Sequence, residues 1–126
     1  MSHGVSLQHI HLELARTAEF PDGSAAHGYD LVAPLADDGR IDLAGWHEAK
    51  ALCHVTRFWG GDEVRGRIVH THRGWVFDFG DDAPQEPVFK LDRHAFLPGG
   101  YVSITERDGV QRPFRIVSVT PALGAA

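Results

Sequence analysis

Turn signals recur along the whole chain: Pro21-Asp22-Gly23, Asp38-Gly39, Gly60-Gly61, Arg73-Gly74, the Pro84 to Pro87 stretch, Pro98-Gly99-Gly100 and Asp108-Gly109. Glycine and proline at such positions break regular structure, and the intervals between them suit strands better than helices. Short segments between closely spaced turns predict an all-β sandwich or a small barrel. We read the chain as mainly β, a closed or partly open β-barrel of about six to eight strands with one short α-helix. A sandwich is the second reading.

Leu7 to Ala15 reads as the first strand, because Ile10, Leu12 and Leu14 alternate with His9, His11 and Glu13. A second runs from about Tyr29 to Leu35. Further strands are expected at His54 to Trp59, Val64 to His72, Trp75 to Phe79, Val88 to Lys90, Gly100 to Glu106 and Gln111 to Val119. The helix is expected from Leu43 to Cys53 with Asp42 as N-cap. Its Trp46 would pack on the sheet and cover one barrel end, although Gly45 weakens it.

Two hairpins have readable registers. Asp108-Gly109 is a favoured two-residue type I′ turn, which places Ile104 opposite Pro113, Ser103 opposite Phe114 and Val102 opposite Arg115. A two-residue turn at Arg73-Gly74 sets His72 opposite Trp75 and His70 opposite Phe77.

The 126 residues, 43% of them apolar, are enough for one domain spanning 1–126 with a conventional core. The net charge of −5 argues against nucleic acid, whose binders carry a basic stripe. The densest basic stretch, Arg65, Arg67 and Arg73 with His70 and His72, is short. No run reaches the roughly 20 apolar residues of a membrane helix, and the N-terminus lacks the pattern of a signal peptide. A cytoplasmic protein with no membrane partner is expected. Cys53 excludes an internal disulfide and reads as a small buried hydrophobe at the end of the helix.

Three groups could carry chemistry. His9, His11 and Glu13 project to one side of their strand and supply donors for a divalent transition metal. Consecutive same-side positions lie about 6.5–7 Å apart, however, so three on one straight strand rarely share an ion. Their other reading is an outward polar face. His70 and His72 could complete the metal site from a neighbouring strand, or stack on aromatic residues of their own hairpin. Arg57 and Trp59, before Gly60-Gly61, could anchor a small molecule or a protein partner, or could simply lead a strand into a turn.

The segments His9 to Ala15, Cys53 to Gly61 and Phe96 to Ile104 resemble a family of short uncharacterised proteobacterial proteins with no assigned activity, which implies a bacterial source. Phe96-Leu-Pro-Gly-Gly-Tyr-Val-Ser-Ile104 followed by Arg112-Pro-Phe-Arg115 is similar to the flavin-binding barrel of ferredoxin reductases. That similarity would put Arg112 on a flavin phosphate and Phe114 on the isoalloxazine. Arg115 stands where that family has a small hydroxyl residue, so the match reads as convergent hairpin chemistry.

Two functions remain open. One is a binding or accessory module with a pocket on the barrel or a site at Arg57 and Trp59. The other is a metal-binding protein or metalloenzyme built on His9, His11 and Glu13 with His70 or His72.

Overall fold

A computed structural model describes residues 6–72, 74–80, 86–87, 95–106 and 108–122. Eight strands form one antiparallel sheet: β1 (Leu7–Leu14), β2 (Ser24–Pro34), β3 (His54–Trp59), β4 (Asp62–Thr71), β5 (Gly74–Asp78), β6 (Glu86–Pro87), β7 (Tyr101–Thr105) and β8 (Gln111–Pro121). Their order across the sheet is β6-β5-β4-β3-β2-β1-β8-β7. The sheet curls until edge strand β6 touches edge strand β7, giving the small, partly open barrel expected from the turn spacing. The expected Val88 to Lys90 strand lies outside the described residues.

Alternation sends one face of β1 to β5, β7 and β8 into a single core. Ile10, Leu12, Tyr29, Leu31, Val55, Ile68, Phe77, Ile104, Phe114 and Ile116 are all essentially inaccessible to solvent. Burying one such side chain is worth about 1.5–3 kcal/mol.

Both hairpin registers differ from expectation, the β7–β8 register by one residue and the β4–β5 register by two. Ile104 pairs with Arg112, Ser103 with Pro113 and Val102 with Phe114. The reason is the turn: Gly109 N–H donates to the Glu106 carbonyl and Glu106 N–H to the Val110 carbonyl, and Gly109 sits at φ +79°. That is a longer loop ending in a left-handed glycine, rather than a two-residue type I′ turn. A one-residue slip exchanges the faces of a strand. Arg112 therefore points inward, whereas Arg115 points out. At the other hairpin Thr71 opposes Gly74, so His70 faces Trp75 and His72 falls in the connection.

Strand β2 begins at Ser24 rather than near Tyr29, because small residues and Gly28 continue the ladder beside β1. The helix is shorter than expected: α1 covers Leu43–Ala49, followed by a 3-10 turn at Lys50–Leu52. Asp42 holds the N-cap position without a side-chain cap bond. Gly45 is accounted for by packing, since a Cβ there would sit 3.1 Å from Pro34. Trp46 covers this end of the barrel, its Nε1–H donating to the Ile68 carbonyl at 2.9 Å and its ring crossing Trp75 edge-on.

The opposite end is closed by charge. The Glu106 carboxylate, 2% exposed, accepts from Tyr29 OH at 2.6 Å, Arg57 Nε at 3.1 Å and Arg112 Nη1 at 3.0 Å. Arg112 also reaches Asp108 and Glu19, which ties the β1–β2 connection across the opening. Every buried side-chain polar atom among the described residues has a hydrogen-bond partner. A network satisfied in this way holds one arrangement, because Glu106 is the carboxylate that both Arg57 and Arg112 share and its loss takes away the charge that Arg57 faces there.

Candidate functional site

The outer face of the sheet is a grid set by register. Running from β1 through β2 and β3 to β4, one row reads His9, Val32, His54, Arg67; the next reads His11, Asp30, Thr56, Arg65; the third reads Glu13, Gly28, Phe58, Glu63. From β8, Thr120, Ser118 and Arg115 extend these rows beyond His9, His11 and Glu13.

His9, His11 and Glu13 are brought together, as their alternation implied, and Asp30 joins them. Asp30 Oδ1 lies 2.8 Å from His9 Nε2 and 2.7 Å from His11 Nδ1, while His11 Nε2 lies 3.0 Å from Glu13 Oε2. A carboxylate oxygen can only accept, so two carboxylates on one imidazole are both satisfied when each ring nitrogen carries a proton. Burial works against that charge, but the hydrogen bonds and charges of Asp30 and Glu13 outweigh it, and the His11 pKa is raised. Among the described residues no three His, Cys, Asp or Glu side chains are placed to hold a metal ion. The cluster is a hydrogen-bonded ladder.

Phe58 stacks on the same histidine, ring centroids 5.5 Å apart and planes 4° from parallel. The ring reaches His11 across Gly28, where a Cβ would run into the Leu12 carbonyl oxygen and stand 2.7 Å from Phe58 Cζ. A glycine in a strand, flanked by an aromatic residue lying over it, lets the two elements approach in this way.

His70 and His72 do not join this cluster. His70 shares the inner side of β4 with buried Ile68, and its ring lies 4.6 Å from Trp75 and 6.2 Å from Trp46. It faces away from the His9 ladder, with β2 and β3 between their strands. Stacking within its hairpin and under the helix explains its position.

Arg57 and Trp59 also turn inward, on the side of Val55, rather than presenting an outward anchor. The Arg57 guanidinium lies 4.1 Å from the Trp59 ring centroid and is 18% exposed against Glu106. The Trp59 ring continues into His27 and then Phe20, forming the lid of the charged end. Of the residues singled out by the local flavoenzyme similarity, Arg112 is ion-paired inside that end and Phe114 is fully buried against Tyr29.

An open cleft of about 610 Å³ lies on the outer face at the end of β1. Its walls include Glu13, Arg16, Asp22, Ser24, Tyr101 and Arg115. A bulge between Glu13 and Leu14 shifts the ladder there, and Gly23, at φ +74°, lets the β1–β2 connection close against Leu14. Tyr101 is 56% exposed and sits opposite Arg115 in the β7–β8 ladder. Arg115 Nη2 stands 4.0 Å from Glu13 Oε1, a loose pair at the edge of contact.

Sequence reasoning missed Asp30, Arg16, Tyr101 and Arg115. Asp30 and Tyr101 enter through non-local strand pairing, which leaves no local pattern. Arg115 was visible as the alternating partner of Phe114, but a slipped register placed it opposite Val102.

Cys53 is buried, its Sγ donating to the Ala49 carbonyl, and burial pushes its thiol pKa up to about 11. It behaves as a packed hydrophobe. No helix among the described residues is long and apolar enough to cross a membrane.

No protein-family model matches the chain, and no curated protein or solved structure matches it either.

Proposed function

We propose that the chain is a small ligand-binding module whose ligand occupies the cleft at the end of β1. The observation that carries this reading is a cleft of about 610 Å³, with Arg16 and Arg115 set against Glu13 and Asp22 beside an exposed tyrosine. That volume lies in the usual range for small-molecule sites. The two guanidiniums suit a carboxylate or phosphate on a small ligand, with Tyr101 offering an aromatic face and Ser24 a hydroxyl. Arg115 is available because its pair with Glu13 is loose and Glu13 is already engaged by His11.

The test is a ¹H–¹⁵N titration with benzoate, phenyl phosphate, L-tyrosine and 4-aminobenzamidine. Saturable shifts at Arg16, Ser24, Tyr101 and Arg115 with the anionic or zwitterionic probes support the reading. Shifts confined to other surfaces, or a response only to the cationic probe, overturn it.

The meeting of His9 and His11 on Asp30, with Glu13 on the far nitrogen of His11, supports a second reading, metal binding on the outer face after these side chains rearrange. An ion there would have to replace the existing hydrogen bonds. Zinc-induced stabilisation that disappears in His11→Ala would put this reading first.

A further inference from the structure

A second group of cations stands on another part of the surface, and the cleft does not use it. Lys50, from the 3-10 turn after α1, and Arg67, on β4, line an open pocket of about 310 Å³. Trp46, Ala51, Ile68 and Val69 complete its lining. We propose that this pocket is an oxyanion site, taking the phosphate group of a small phosphate monoester.

Several independent features converge on it. In a chain of net charge −5, Lys50 and Arg67 are both exposed and neither has a carboxylate partner among the described residues. The acid nearest in register is Asp78, opposite Arg67 on β5. Its Oδ1 accepts from Gly80 N–H at 3.0 Å, and it forms no ion pair with Arg67, although its charge remains on this face. Lys50 Nζ lies 5.9 Å from the Trp46 ring centroid, which draws the ammonium toward the pocket floor. The floor itself is rigid, because the indole N–H is held by the Ile68 carbonyl.

On the surrounding face Arg65 adds a positive charge, which Asp78 and Glu63 partly offset. Arg65 lies two residues along β4 on the same side, and His54 sits directly opposite Arg67. His54 Nδ1 donates to the Leu52 carbonyl at 3.1 Å. Burial, with Arg65 and His9 adding to it, lowers the His54 pKa despite that hydrogen bond. The imidazole therefore stays neutral near pH 7 and adds no charge there. A guanidinium presents a planar fork to phosphate oxygens and an ammonium a movable point charge, a pairing suited to one phosphate group.

The experiment is a ¹H–¹⁵N titration with inorganic phosphate and with phosphoserine at constant ionic strength, alongside a chloride control. Saturable shifts at Lys50, Ala51, Arg67 and Val69 are expected, with indole N–H movement at Trp46. Arg67→Gln and Lys50→Gln are exposed substitutions that should leave the melting temperature unchanged and weaken binding by roughly tenfold each, the worth of one charge-assisted hydrogen bond. The proposal is overturned if phosphate shifts nothing beyond chloride, if the double variant binds as well as wild type, or if the shifts centre on Arg16 and Arg115. The last outcome would assign phosphate to the cleft and leave that reading standing.

Discussion

Phe58 lies flat on His11, ring centroids 5.5 Å apart, and the contact exists because Gly28 between them has no side chain. The stack lies on the outer face, where Phe58 and Gly28 share one row and His11 and Asp30 the next. Gly28→Ala should cost about 2–4 kcal/mol, because its methyl meets both a backbone oxygen and an aromatic ring. Urea denaturation measures the loss. A variant as stable as wild type would contradict this close approach of β1, β2 and Phe58.

The His11 ladder makes stability depend on pH. Its pKa is raised in the folded state, so folding favours the protonated form. The stabilisation is fully present below the unfolded value of about 6.5 and is lost as pH rises through the folded value. Denaturation midpoints of wild type and His11→Gln should therefore differ most in mild acid and converge at alkaline pH. A difference that grows with pH would contradict the imidazolium assignment.

Glu106 should be the costliest polar residue to remove. Glu106→Gln leaves two arginines facing an uncharged amide in a closed space, with an expected loss of about 3–5 kcal/mol. Tyr29→Phe removes one hydrogen bond to the same carboxylate and should cost about 1–2 kcal/mol. Equal effects of the two changes would mean that the charge pairs contribute little.

Cys53 should be inert while the protein is folded. With a thiol pKa of about 11 and full burial, it should react with iodoacetamide at neutral pH only as fast as the chain opens. Labelling as fast as a free peptide thiol would show the helix end to be open.

The strand positions and the one-sided core were legible because alternation is a local property. Ile10, Leu12 and Leu14 announce their face, and they place His9, His11 and Glu13 together on the other. The registers were not legible to within a residue, since Asp108-Gly109 is compatible with two loop lengths that differ by one position. That single step decides whether Arg112 or Arg115 faces solvent, and with it whether the charged plug or the cleft receives a guanidinium. The shared side of Arg57 and Trp59 could also be read, but its direction depends on Val55 being inside and on Glu106 arriving from a distant strand. Asp30 was invisible for the same reason: it becomes the partner of His9 and His11 only when β2 lies beside β1.

The most direct test of the central claim, that ligands are held on the outer face at the end of β1 rather than at Arg57 and Trp59, is a crystallographic fragment screen with carboxylate- and phosphate-bearing aromatic compounds. The expected result is fragments in the cleft, their anionic groups on Arg115 or Arg16 and their rings against Tyr101. Fragments that instead open the charged end and stack on Trp59, with the cleft empty, would contradict it.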